Sequence, residues 1–494
     1  MKKIKTRYFE YFIMGCIFLG AVLLFLAITG TLFSGLHLVD DHEFFSISSI
    51  INENGFWNGM IRVVIKDFSI RFRPLYSIVR VIGVCLFGTN AVAWSVCKAI
   101  EIALAMIFFY IFAREMNINK IFSILFAFLI LVGEQSAIWW RLGPQESVGI
   151  LLFSICMLAT LYLGKKRNAL SVILFILACT LLSLQKESFC IAMPGFILLL
   201  MSYDVARYKE NSISFKYFLS SFFKEHLVEV LTLLLVFAIE IYAIVFKVGT
   251  HQLSYAGFSP EWALKDFIIG VLVNLKHWCM PYLLMAIGMV FIIQIEFKKE
   301  IITYKEIFEL LFCVYIFCME QVLHAKSGMW ERYLIPWIIA VCYFVVIIGY
   351  RLLCSNRRIL ISACGMLVIF LIYFVTKAIP EAIVFADQGE QLNQCMHFID
   401  DNSNTDSEVV SVTKIKEEDG SFGVIMKGKY GYTNCKSISE YEDDISKLGS
   451  ADVLFGKSGQ VYYRLSEEAG LSLDDYEFFE TEYYEVGIKK ETLQ

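Results

Sequence analysis

The stretch "LHLVDDHEFF", residues 36–45, puts Asp40, Asp41 and Glu43 directly after an apolar run long enough to cross a bilayer. Carboxylates at a membrane edge are costly unless solvated or paired, which marks them as candidates for function. In an adjacent Asp pair one carboxyl can stay protonated at neutral pH while the other accepts a proton, the basis of general acid–base work. The plainer alternative is a cap, since Asp favours the N-cap position and an apolar-periodic run starts near Glu43. Further on, "KDFSIRFRPLYSIVRVIGVCLFGTN" sets Arg71 and Arg73 just ahead of Pro74 and a short apolar helix. Guanidinium groups at a helix start suit a phosphate; the alternative for Arg73 is snorkelling to lipid headgroups.

Three more segments carry charges of this kind. "GEQSAIWWRLGPQESVG" supplies Glu134, Arg141 and Glu146, with Trp139 and Trp140 reading as an interfacial aromatic belt. "LSLQKESFCIAMPG" places Lys186 and Glu187 where two apolar runs meet, a pair expected to neutralise itself, with Glu187 orienting Lys186. "HAKSGMWERYLIPW" adds His324, Lys326, Glu331 and Arg332 ahead of a late apolar run. No motif with the spacing of His-Glu-x-x-His appears, so the sequence holds no dedicated metal cage.

The elements that must position these residues follow from composition. Hydrophobic residues make up 57% of the 494 and charged residues 18%, and the mean hydropathy is +0.62. Those values exclude an ordinary soluble chain. Long, nearly uncharged runs separated by charged clusters predict helices rather than a β-barrel. Residues 11–33 read as a first span rather than a cleaved signal, because the run is too long and no small-residue cleavage site follows. Ten further runs fall at about 92–112, 120–133, 147–163, 169–184, 188–203, 227–247, 280–296, 306–322, 334–350 and 359–377, for about eleven transmembrane helices.

Orientation comes from the basic clusters. With the amino terminus in the cytoplasm, the even-numbered connections hold Arg114 and Lys120, "GKKRN", "RYKENSISFKYFLSSFFKEH", "EFKKE" and "YRLLCSNRR", as positive-inside demands. The first outer loop, 34–75, then shares one side with Arg141, Lys186, His251, Arg332 and the carboxyl-terminal tail. Residues 381–494 hold 24 acidic and 10 basic residues, a net charge of −14, against +9 for residues 1–380. Short apolar runs ("SEVVSV", "FGVIMKG", "ADVLFG", "YEVGIKK"), a turn at "EEDGSF" and helical stretches near 388–400 and 461–470 make this tail a small α/β domain. Of the 14 cysteines, only Cys395 and Cys435 lie in it, and a bridge between them is left open.

The fold class expected is thus an all-α polytopic bundle in the cell membrane with a small extracytoplasmic α/β domain. The acidic pair after the first span, then "RFRPLYSIVRVIGVCLFGTNAVAW", "KES…MPG" and "RYLIPW", resembles the layout of the GT-C class of integral-membrane glycosyltransferases, which includes protein O-mannosyltransferases and aminoarabinose transferases. Lys98 and Glu101 stand where that class usually has a His and an Asn. The resemblance implies a polyprenyl-phosphate-linked sugar donor and a glycan, lipid or protein acceptor, in contact with membrane lipids and without nucleic acid. It implies Asp40 as base, and Asp41 as a second acceptor contact or a ligand to a divalent cation (Mg or Mn), whose requirement stays open. Arg73 would hold the donor phosphate, supported by Arg71, Lys186 and Arg332, with Glu43, Glu187, Arg141 and Glu146 in supporting places. The competing expectations are a transporter or flippase of lipid-linked sugars, which would use Lys98, Glu101, Glu240 and Glu320 in the spans, and a polysaccharide polymerase. If the spans are odd in number, a cysteine introduced into the tail reacts with an impermeant thiol reagent on intact cells, whereas protection there overturns the eleven-span topology.

Overall fold

The computed structural model describes all residues except 1, 70, 145, 208–213, 249–263, 297–302, 325–330, 414–415, 442–444 and 494. His251 and Lys326 lie outside the described residues, as do the side chains of Glu134 and Glu331. The chain starts with α1 (Lys2–Ile28), followed by a helical hairpin, α2 (His42–Asn54) and α3 (Phe56–Phe68), and by α4 (Pro74–Phe87). Next come α5 (Ala91–Glu115), α6 (Lys120–Leu131), α7 (Glu146–Lys165), α8 (Ala169–Ser183), α9 (Glu187–Cys190) and α10 (Met193–Val205). Then follow α11 (Phe215–Glu225), α12 (Leu227–Tyr242), α13 (Leu264–Asn274), α14 (Met280–Glu296), α15 (Tyr304–Leu323), α16 (Ile335–Cys342), α17 (Gly349–Leu353) and α18 (Arg357–Asn402). Polar residues start several of these locally. Asn90 accepts the amide of Ala93 at α5, Asn119 that of Phe122 at α6, and Asn168 with Ser171 closes a capping box at α8.

Among the described residues, seven helical stretches are long and apolar enough to cross a membrane by length and composition: Arg7–Ile28, Ala91–Glu115, Glu146–Lys165, Glu187–Val205, Leu227–Val248, Arg332–Leu353 and Arg357–Asn402. A helix pair bent by 76°, Phe267–His277 with Met280–Ile295, makes eight if it counts as one span. This is a helical membrane bundle, but it falls short of the eleven spans expected. All eleven apolar runs are helical, yet α6 has 12 residues and α8 has 15, only about 18 and 22 Å of helix against a hydrocarbon core of about 30 Å. The 20-residue α15 is long enough but carries Lys305, Glu306, Glu309 and Glu320. One large apolar core joins α1, α5, α6, α7, α10, α15, α16 and α18. At one end of it Glu10 pairs with Arg114 at 3.1 Å, and Glu115 with Arg7 at 3.2 Å and Lys165 at 3.0 Å. The Trp139–Trp140 pair is not a belt: both rings are buried against Phe25 of α1, with centroids 5.4 and 5.9 Å away.

The tail is built on the continuation of α18. At 46 residues that helix is about 69 Å long; it runs through Pro380, so the boundary expected at 380/381 falls inside one element rather than in a linker. Five short strands follow: β1 (Val409–Ser411), β2 (Cys435–Ser437), β3 (Val453–Lys457), β4 (Tyr476–Glu480) and β5 (Tyr484–Lys489), with α19 (Lys416–Tyr430) and α20 (Gln460–Tyr463) between them. Their order is β2-β1-β3-β5-β4, with β1 parallel to β2 and β3 and the other pairs antiparallel. The segment "FGVIMKG", expected as a strand, is helix, and so is the expected turn "EEDGSF". Phe422, Ile425 and Met426 are spaced for one helix face, and a parallel β1–β2 pair needs a crossover of this length. Cys395 and Cys435 are free thiols, so the bridge left open is not formed.

The same apolar cluster holds the tail to the helical hairpin. Phe44, Phe45 and Ile47 of α2 share a core with Leu392, Met396 and Ile399 of α18, Phe422 and Ile425 of α19, and Phe455 and Val486 of the sheet. A Cβ on Gly428 would overlap the ring of Phe45. Gly428→Leu is expected to pry α19 from α2 and to raise protease cleavage around residues 403–434 while the bundle stays folded; an unchanged digestion pattern would count against this seam.

Candidate functional site

A cavity of about 370 Å³ lies at the end of the bundle that carries the tail. Its walls come from far-apart segments: Asp40 and α2, the end of α3, the start of α4, the turn before α7, the α8–α9 junction, and Arg332 with Tyr333. Seven expected residues line it together: Asp40, Glu43, Arg71, Arg73, Glu146, Lys186 and Arg332.

The charges are paired across those segments. Arg332 reaches Asp40 Oδ2 with Nη1 at 3.5 Å and lies 3.9 Å from Glu146. Arg71 grips Glu187 with two hydrogen bonds of 2.9 Å. Arg73, at the N-cap of α4 ahead of Pro74, donates Nε and Nη2 to Asp67 at 3.0–3.1 Å and lies 3.9 Å over the Tyr76 ring. Lys186 is bonded to Glu146 and sits 3.9 Å over Tyr333. The self-neutralising Lys186–Glu187 pair is therefore not what forms. A residue and its neighbour on a helix start point apart, and each finds a partner on another segment.

Asp40 and Asp41 also part company. Asp40 takes a left-handed backbone with φ of 70°, and its side chain is 30% exposed, facing Arg332. Asp41 is buried at 1% exposure and occupies the N-cap position of α2 without capping it; its Oδ2 instead accepts the His37 amide at 2.9 Å. Burial pushes the Asp41 carboxyl up to about 7, against the pull of the His37 amide and Arg80. Asp41 does not line the cavity, so it fits neither an acceptor contact nor a ligand to a divalent cation there. Among the described residues, the group of carboxylates and histidine close enough to share a cation is Asp204, Glu225 and His226; it lies at the far end of the Glu187–Val205 span, where Arg207 pairs with both acids.

Arg141 is likewise outside the cavity. Its guanidinium lies 5.7 Å over the ring of Phe385 in α18, and Nε is buried. Residues not singled out from the sequence take part instead: Asp67, Lys66 and Val63 from α3, His42 from α2, Tyr76, Ser77 and Arg80 from α4, and Tyr333. Burial raises the Asp67 carboxyl above the usual carboxylate range, against the pull of Arg73. Only Arg80 carried a sequence signal, a lone basic residue inside an apolar helix. It is fully buried and bonds Glu43 Oε2 at 3.2 Å. His42 links the site to the tail through Ser421 Oγ, 3.1 Å away. A second cavity of about 270 Å³ is apolar, walled by Phe25, Phe128, Trp139, Leu371 and Val375.

The arrangement offers two partly exposed carboxylates, Asp40 against Arg332 and Glu43 against Arg80, beside cations already held in place by acids. Chemically it can orient or deprotonate a nucleophile next to a bound anion. The Asp41 carboxyl bears on stability with a definite sign. Its folded value lies above the unfolded 3.8, so the stability is whole below about pH 4 and is lost as pH climbs to about 7. Asp41→Asn, which keeps the acceptor for the His37 amide, should therefore melt higher than the parent in detergent. The gap should widen from about pH 5 to pH 8, and a constant gap would refute the buried-acid assignment. No protein-family model matches this chain, and the curated proteins searched include none that matches it.

Proposed function

We propose that the cavity is the active site of a membrane glycosyltransferase of GT-C type, passing a sugar from a polyprenyl-phosphate carrier to an acceptor on the extracytoplasmic side. The observation that carries this reading is the partly exposed carboxylate of Asp40 facing Arg332, in a cavity whose other wall holds Arg71 and Arg73 ahead of α4, while the equally exposed Glu43 is held by the buried Arg80. Asp40 takes the proton of the acceptor hydroxyl or amide as its oxygen or nitrogen bonds to the anomeric carbon. The bond from that carbon to the phosphate oxygen breaks, and the cations hold the charge that gathers on the phosphate. Arg73 gives up or shares Asp67 to receive it, while Arg71 is kept in place by Glu187.

The membrane sides follow the basic clusters rather than any contact. In this reading the amino terminus is cytoplasmic, and the short α6 and α8 together with α14 and α15 complete eleven spans. The exposed apolar face of α3, with Trp57, Ile61 and Ile65, rests on the outer leaflet, and the apolar cavity suits an isoprenoid chain. The acceptor, the sugar and any use of Mg or Mn are not specified by these residues. A transport reading leans on Lys98, Glu101 and Glu240 in the spans. Lys98 and Glu101 share Ser147 Oγ, whereas Glu240 bonds Ser183 and Glu320 lies beside His324 on other helices.

Two variants test the assignment in proteoliposomes supplied with a radiolabelled polyprenyl-phosphate sugar. Asp40→Asn is expected to abolish transfer in a folded protein, and full turnover would remove Asp40 as base. Arg73→Ala is expected to raise the donor KM roughly tenfold or more, the cost of one charge-assisted hydrogen bond. Unchanged donor dependence would argue against phosphate at that wall.

A further inference from the structure

The backbone of Asp40 is the strained point of the site. A non-glycine residue at φ of 70° is uncommon and persists only where its surroundings hold it. Its neighbour across the turn is Gly143, on which a Cβ would overlap the Cβ of Asp40. The carbonyls on either side of Gly143 are each taken by a buried cation from a different helix. Arg80 Nη1 donates to Leu142 O at 3.3 Å, and Lys98 Nζ donates to Pro144 O. Arg80 also donates Nη2 to the main-chain oxygen of Asp40 at 3.0 Å. Its guanidinium lies 4.3 Å over the Phe44 ring and is fixed from the side by Glu43. Lys98 continues to Ser147 Oγ at 3.4 Å, and that hydroxyl donates to Glu101 at 2.5 Å.

A lysine and an arginine with 2% and 0% exposure inside apolar helices are costly. Lys98 lies outside the cavity and Arg80 sits in its wall fully buried by its own partners, so both act through what they hold. We propose that Arg80 and Lys98 are positioning residues: two buried cations that press the Leu142–Pro144 segment against the Asp40–Asp41 turn, so that Asp40 rather than Asp41 presents its carboxylate to the cavity. The glycine at 143 is the gap that lets the two segments meet. The clamp accounts for the two basic residues in "VRVIGVCLFGTNAVAWSVCKAIE", Arg80 and Lys98. Its effect on turnover rests on the transferase reading, whereas its effect on the turn does not.

The test therefore has two arms. In detergent-solubilised full-length protein, the thiol of D40C is expected to react with a small polar methanethiosulfonate on the order of tenfold faster than that of D41C, with the modified site identified by mass spectrometry. Adding Arg80→Met, Lys98→Met or Gly143→Ala should shrink that contrast to within about threefold. Gly143→Ala removes no charge, and Lys98→Met lies away from the turn, so the test survives if one variant does not fold. In the transfer assay the same three changes should lower kcat by about a hundredfold, as for a catalytic group displaced by an ångström, with donor KM within about twofold. Arg80→Lys, able to hold one carbonyl, should recover part of kcat. A labelling contrast that persists in the three variants overturns the clamp even if Asp40→Asn is inactive. A contrast that collapses while Asp40→Asn still transfers sugar keeps the clamp and discards Asp40 as base.

Discussion

A charge beside hydrocarbon must find a counter-charge, because the cost of leaving it bare exceeds what any local fold supplies. That constraint organises one end of this protein. Arg332–Asp40, Arg71–Glu187, Arg80–Glu43 and Lys186–Glu146 each tie together segments that are distant in the chain. Only Arg73–Asp67 is local. The pairs act as staples: the loop after α1, the α3–α4 corner, the turn before α7, the α8–α9 junction and the segment before α16 can meet only where all are satisfied. The cavity between them is what remains when five ion pairs close.

Apolar packing supplies the rest of the frame. The large bundle core positions the helix ends, and a second core runs without interruption from α2 into the tail. Among the described residues the tail contributes none to the cavity wall, yet it backs the helix that carries His42, Glu43 and Ile47 into it. The tail thus acts on the site through the placement of that helix, and His42 with Ser421 is a polar contact at the seam.

Much of the site was visible as residue types in apolar surroundings. Seven of the residues chosen for that reason line one cavity, because a charge retained next to a span has few places to go. The choices that miss do so for geometric reasons. Asp41 and Arg141 carry the same chemistry as their neighbours but point the other way, Asp41 because α2 starts at His42 and turns its carboxyl back to the His37 amide. Asp67 and Tyr76 were missed because an acid in a polar loop and a tyrosine in an apolar helix are unremarkable until Arg73 is seen between them.

Local patterning determined what kind of elements form. Long apolar runs became helices, Asn residues capped them, Pro74 opened α4, and short apolar runs marked β1, β3 and β5. Length in the membrane, pairing and facing were decided only in three dimensions. The runs at α6 and α8 are as apolar as their neighbours, yet caps and turns cut them short. "FGVIMKG" has the composition of a strand but lies between two parallel strands that require a helix. Which acid meets which base depends on helix ends brought together by packing, and sequence spacing carries no record of contacts made across the bundle.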